Sequence, residues 1–150
     1  MDNLSENLEI FKIVLDSIPF YVIITDPEGI IVYANEGAVK ITGFNKNEMI
    51  GKNPKLWGGQ MEKGFYQDMW KTIKEDKINF ISTMKNKRKN GQIYDVSIKI
   101  TPLLDVNGNL LGFCSIEQDM TDILKTADEF DINERQKTIL ARTMASLKDS

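Results

Sequence analysis

Thr25-Asp26-Pro27-Glu28-Gly29-Ile30-Ile31-Val32-Tyr33-Ala34-Asn35 is the stretch that decides how this chain folds. Pro27 presets φ and Gly29 tolerates positive φ, so Pro27-Glu28-Gly29 reads as a tight turn. The apolar, β-branched runs on its two sides, residues 20–26 and 30–34, predict two strands. Asn35 then reads as the N-cap of a short helix through Thr42, which Gly43 closes. Asn45 and Glu48 have capping-box spacing before Met49-Ile50, and Gly51 ends that helical turn.

Before this stretch, residues 4–18 predict an amphipathic helix. Leu4, Leu8, Phe11, Leu15 and Ile18 recur at helical spacing, and Pro19 lies past the end. Two readings stand for the stripe: it packs on its own domain, or it also pairs with a second copy of the chain.

After it, residues 52–60 read as a loop with Pro54 and the adjacent Gly58 and Gly59. A helix is predicted over 63–76. Its stripe of Phe65, Met69 and Ile73, with Tyr66 and Trp70 beside it, reads first as core. Three strands follow, over 78–88, 92–104 and 110–118, with turns at Asn90-Gly91 and Asn107-Gly108. Tyr94, Val96, Ile98 and Ile100 alternate with Asp95, Ser97, Lys99 and Thr101, the pattern of a half-buried antiparallel strand. Beyond Asp119 the chain reads as helix again, with Asp119 or Thr121 as cap and a second possible cap at Asp131 with Glu134. The later apolar positions are too irregular for a coiled coil. The expected class is α+β, an antiparallel sheet with helices on one side.

The composition is that of ordinary globular material, 41% hydrophobic and 27% charged. A net charge of −3 argues against a nucleic-acid binder, and the run from Lys85 to Lys89 reads as a solvated hairpin end. Cys114 is the only cysteine, so no intramolecular disulfide forms. Met1 to Glu9 carries three acidic residues and no basic one, unlike a secretory leader, so a cytoplasmic location is expected. No apolar run is long enough to span a bilayer. There is no histidine, which removes His-based nucleophile systems, histidine zinc sites and a proximal haem ligand. Glu117 and Asp119 form the only carboxylate pair near the presumed pocket, with no nucleophile, base, metal cluster or phosphate loop beside them, so no enzyme is expected.

The run from about Phe20 to Thr121 resembles a PAS domain. The resemblance rests on Thr25 to Gly29, Tyr33-Ala34-Asn35, Thr42-Gly43-Phe44, Glu48 to Pro54, Phe65-Tyr66 with Met69-Trp70, Lys87 to Gly91, and Asp119-Met120-Thr121. No single element is specific; their order and spacing are. It implies a five-stranded antiparallel sheet, short helices over one face and a pocket between them. The expected organisation is an N-terminal helix over 1–18, a sensor domain over 19–121 and a signalling helix over 122–150. Asp119-Met120-Thr121 is similar to the family's Asp-Ile-Thr exit motif, which joins the last strand to that helix.

The segment from Gly51 to Leu56 is similar to the loop bordering the cofactor in flavin-binding members. In the LOV subgroup a reactive cysteine stands at the position of Pro54, so no thiol–flavin adduct is expected here. Asn86 falls at one of two flavin-ring asparagines of that subgroup, and Val96 falls at the other. Phe80 falls where the FAD-binding redox sensors usually carry tryptophan. Glu117 falls where LOV proteins keep a flavin-contacting glutamine. Period-two alternation puts Phe113, Ser115 and Glu117 on one face of the last strand and Leu110, Cys114 and Ile116 on the other. Glu117 either faces the pocket or lies wet at a fraying strand end, the simpler reading.

Asn53, Lys55, Trp57, Trp70, Phe80, Asn86, Ser115 and Glu117 are the candidate cofactor-binding residues, and Asp119 and Thr121 the candidate transmission residues. Flavin, as FAD or FMN, is the favoured cofactor. Haem is a weaker expectation without histidine, and a cavity with no ligand is the competing one. The resemblance implies a sensory module that dimerises through the N-terminal helix and acts on an effector such as a histidine kinase or cyclase, which this sequence does not encode. The alternative is a ligand-free dimerisation scaffold.

Overall fold

In a computed structural model the chain is described over residues 3–148, and it divides into two units, one ending at Asp119 and one beginning at Met120. Each is described by itself.

The first unit opens with helix α1, Asn3–Ser17. Strands β1 (Tyr21–Thr25) and β2 (Ile31–Ala34) follow, then helices α2 (Glu36–Thr42) and α3 (Lys46–Met49) and a 3-10 turn at Pro54–Leu56. Helix α4, Lys63–Trp70, runs directly into a π-helical turn at Lys71–Glu75. Strands β3 (Phe80–Lys87), β4 (Ile93–Leu104) and β5 (Leu110–Asp119) complete it. The five strands form one sheet in the order β2-β1-β5-β4-β3, each neighbouring pair antiparallel. The last strand therefore lies in the middle, between the first and fourth.

The expected strands and short helices form because local chemistry closes each turn. At the first hairpin Asp26 Oδ1 accepts from the amides of Glu28 (3.0 Å) and Ile30 (2.9 Å), while Gly29 takes φ +85°. The β4–β5 turn repeats this with Asp105 Oδ1 accepting from Asn107 (2.8 Å) and Asn109 (2.9 Å). The β3–β4 turn closes between Arg88 and Gln92 rather than as a two-residue loop, with Gly91 left-handed at φ +92°.

Asn35 is a buried hub. Its Oδ1 accepts from the amides of Val22 and Ala38, both at 2.9 Å, and its Nδ2 donates to the carbonyls of Leu15 (2.7 Å) and Phe20 (3.0 Å). One side chain thus caps α2 and ties it to the last turn of α1 and the start of β1. Gly37 follows from the same closeness: a Cβ there would lie 2.1 Å from the Phe20 carbonyl oxygen.

Three expectations need correction. The helix over 63–76 changes pitch at Lys71. Leu110 does not share a face with Cys114 and Ile116; the register slips between Leu103 and Leu104, a bulge that returns Leu110 to the core side. Cys114 itself is half-buried. In α1, Leu8 and Phe11 are exposed while Leu15 is partly buried, so among the described residues of the stripe cover begins only toward its C-terminal end.

The second unit is one helix, α5, Thr121–Lys148, continuous through Asp131 and Glu134, so the second cap is not used. Among the described residues no helix is long and apolar enough to cross a membrane.

Candidate functional site

The inner face of the sheet and the helical layer enclose a cavity of about 430 Å³. Its floor comes from β1, β3, β4 and β5, because alternate residues on each strand face the same side. Tyr21, Ile23, Met84, Ile98, Ile100 and Phe113 supply most of the apolar floor. Met69, Trp70 and Ile73 form the facing wall, so the α4 stripe read first as core lines the cavity. The π turn places Ile73 in that wall, and Trp70 sets its ring edge-on to Phe113 at 5.7 Å. Gly29 leaves room for the far side of the Trp70 indole, 3.0 Å from where a Cβ would stand.

The loop after α3 makes the rim. Asn53 accepts from the Lys55 amide (3.0 Å) and opens the 3-10 turn. Trp57 is buried, with its ring edge-on to Tyr21 at 5.7 Å, and its carbonyl accepts from the Lys87 amide (2.8 Å). The loop thereby covers part of the open edge of β3. The Tyr66 hydroxyl, from α4, accepts from the amides of Gly59 (2.9 Å) and Met61 (3.3 Å).

The polar end of the cavity is built from three strands. Glu117 stands opposite Tyr21 on β1 and Ile98 on β4, and is only 2% exposed. The strand does not fray there, which overturns the wet reading. Asn86, equally buried on β3, donates from Nδ2 to Glu117 Oε2 at 3.2 Å. Among the described residues no other hydrogen bond reaches the Glu117 carboxyl. Burial pushes its pKa up to about 8, and the Asn86 bond offsets this only in part. Burial, then the neighbouring Glu117, raises the Tyr21 phenol well above its ordinary value. The Ser115 hydroxyl lines the same cavity, buried and without a hydrogen-bond partner among the described residues.

Two residues further along the chain from Asn86 and Glu117, just past the end of β3 and at the end of β5, is a second pair. Arg88 and Asp119 form an ion pair, and Arg88 also donates to the Ile41 carbonyl and, from Nε, to Gln92 Oε1. The guanidinium lies 3.9 Å above the centre of the Tyr94 ring.

Of the residues expected at the site, Asn53, Lys55, Trp57, Trp70, Asn86, Ser115 and Glu117 all line the cavity. Phe80 does not; it packs edge-on against Phe65 at 5.5 Å, within the core. Asp119 ends β5 and Thr121 begins α5. Tyr21, Tyr66 and Arg88 were not among the expected site residues. Tyr21 and Tyr66 read as strand and helix residues, and Arg88 sits in a run that reads as solvated charge.

Comparison with known proteins places this architecture. A family model described as PAS domain matches residues 19–122. The nitrogen fixation regulatory protein of Klebsiella oxytoca is 30% identical over 99 residues, which are 65% of this chain and 20% of that protein. The blue-light photoreceptor of Listeria innocua is 36% identical over 104 residues, 67% of this chain and 40% of that protein. Among solved structures, the PAS domain of a protein from Colwellia psychrerythraea superposes with a TM-score of 0.68 at 19% identity, covering 81% of this chain and 99% of that one. The chain thus spans less than half the length of these two curated relatives.

Proposed function

Because the chain belongs to the PAS domain family, we propose that it is a sensory module, not an enzyme, whose cavity holds a planar cofactor. Flavin is the favoured group. The observation that carries this reading is the cavity itself: aromatic and aliphatic walls closed at one end by Asn86, Ser115 and Glu117. Polar groups converging at one end of an apolar cavity are how proteins orient a ring that is apolar on its faces and polar at its edge. The unpartnered Ser115 hydroxyl and the singly bonded Glu117 fit such an edge. Trp57 and Trp70 would flank the ring, with Asn53 and Lys55 at the rim. A bound flavin supplies redox or light-absorbing chemistry that these side chains lack. Pro54 in place of a reactive cysteine leaves thiol–adduct chemistry outside the proposal.

Output is assigned to the end of β5. Glu117 and Asp119 stand two positions apart on β5, so a change at the cavity would reach Asp119, two positions before the following helix begins at Thr121. A kinase or cyclase is the class of effector this module would regulate, in a reducing cytoplasm.

The test is the visible spectrum of the protein as purified, followed by mass spectrometry of released small molecules. Flavin absorption with a matching mass is the expected result; a colourless protein that releases no flavin overturns the assignment.

A second reading has its own observation. Leu8 and Phe11 of α1 are 54% and 64% exposed, which suits a dimerisation scaffold without a ligand. Light scattering of the chain and of a Leu8→Glu, Phe11→Glu variant tests it. A dimer lost in the variant supports the reading, and a monomeric parent rejects it.

A further inference from the structure

Glu117 is a carboxyl group set in an apolar cavity, with no cation paired to it among the described residues. The groups that face it from each neighbouring element are known. Tyr21 faces it from β1, Tyr94 and Ile98 from β4, Asn86 from β3, and Ser115 from β5 itself. Lys55, from the 3-10 turn, lines the cavity but is solvent-exposed. Arg88 lies two residues beyond Asn86, engaged with Asp119, the Ile41 carbonyl and Gln92.

These neighbours share one property: each polar one can donate a hydrogen bond. Tyr21 and Ser115 offer hydroxyls and Asn86 offers its amide. Asn86 already donates to Oε2, so Oε1 is the oxygen left to carry a proton. With that proton Glu117 becomes a donor too, and among the described residues only Asn86 hydrogen-bonds its carboxyl, so the new donor is left for a ligand. A cationic ligand would meet only neutral dipoles there, with no opposite charge to offset its desolvation, unless it expelled the proton. A ring carbonyl or ring nitrogen would meet partners.

We propose that Glu117 meets the ligand as a carboxylic acid, its hydroxyl donating to an acceptor atom of an uncharged ring, so that the cavity takes neutral, acceptor-bearing heterocycles. This rests on the reading of the cavity as a cofactor site and specifies the chemistry of that site. The burial that pushes the Glu117 pKa up to about 8 agrees with the geometry: an ionised carboxylate with one amide bond is poorly compensated in apolar surroundings. A ligand acceptor stabilises the acid form further, so binding retains the proton.

The test uses two tricyclic probes of similar size that are not flavins. Acridone is uncharged with a carbonyl; 9-aminoacridine is a cation near neutral pH. The full chain is titrated with each by fluorescence across the pH range in which Glu117 ionises. In parallel, the Glu117 carboxyl carbon is followed by NMR in the ligand-free chain, with Glu117→Gln as the assignment control. The expected result is a Glu117 titration far above the ordinary carboxylate range. Acridone affinity should be flat below that point and fall about tenfold per pH unit above it. In Glu117→Gln, which keeps a donor but cannot ionise, acridone affinity should not change with pH. An ordinary Glu117 titration near ~4.3 overturns the proposal. So does acridone affinity insensitive to pH in the parent chain, absence of acridone binding, or tighter binding of 9-aminoacridine at neutral pH. A protein that purifies without flavin yet meets the acridone expectations removes the flavin assignment alone. One that purifies with flavin but has an ionised Glu117 removes this inference alone.

Discussion

Arg88, just past the end of β3, and Asp119 on β5 are joined by an ion pair that spans β4, with the Tyr94 ring beneath the guanidinium. Both side chains are largely buried, at 15% and 26% exposure. A largely buried pair with a second bond to a backbone carbonyl is worth more than a surface bridge. Arg88→Met should lower stability by about 1–3 kcal/mol, more than Asp119→Asn, because it also leaves the Ile41 carbonyl without its donor. Urea denaturation midpoints of the two variants check the order.

Glu117 makes stability depend on pH with a definite sign. Its folded-state pKa, about 8, lies above that of an unfolded glutamate. Between the two values the folded chain holds a proton that the unfolded chain has released. Its stabilising contribution is therefore complete below the unfolded value and is lost as pH rises through the folded one. The loss is on the order of a few kcal/mol. Glu117→Gln should remove this slope and be the more stable form at pH 8, as thermal melts across the pH range would show.

Asn35 uses both donors and its acceptor in four bonds to backbone, all within 3.0 Å. Asn35→Ala leaves buried amides and carbonyls unmet and should cost about 3–5 kcal/mol. Asn35→Asp keeps the two acceptor bonds and loses both donor bonds, so it too should be destabilising. Chemical denaturation of each variant is the check.

Gly37 lies where a Cβ would approach the Phe20 carbonyl oxygen to 2.1 Å. Within a helix, exchange of glycine for alanine ordinarily stabilises by up to ~1 kcal/mol. Here the sign should reverse, and Gly37→Ala should melt below the parent chain. A rise in melting temperature would show that β1 can move away from α2 at little cost.

Much of this was legible in the sequence, for local reasons. Pro27-Glu28-Gly29, Asn35 with Gly43, and Asn107-Gly108 each announce a turn or cap, and the structure turns or caps there, with Asp26 and Asp105 supplying the closing side chains of the two hairpins. The alternation from Phe113 to Glu117 places those residues on the cavity side. It misplaces Leu110, because a bulge of one residue inverts the phase and leaves no mark in composition. The burial of Glu117 was illegible for a different reason: Tyr21 and Asn86, which stand over it, come from strands distant in sequence. The π turn at Lys71–Glu75 was hidden because its residues suit an ordinary helix. Phe80 aligned with a cofactor aromatic but points instead to Phe65.

The Tyr66 phenol holds two amides of the rim, one on each side of Gln60. For the cofactor proposed above, a route out past Gly58 and Gly59 would require breaking that clasp. On that route residence time would be set by the rim and affinity by the interior. Substitution of a single hydroxyl, in Tyr66→Phe, becomes a way to shorten one while leaving the polar end of the cavity untouched.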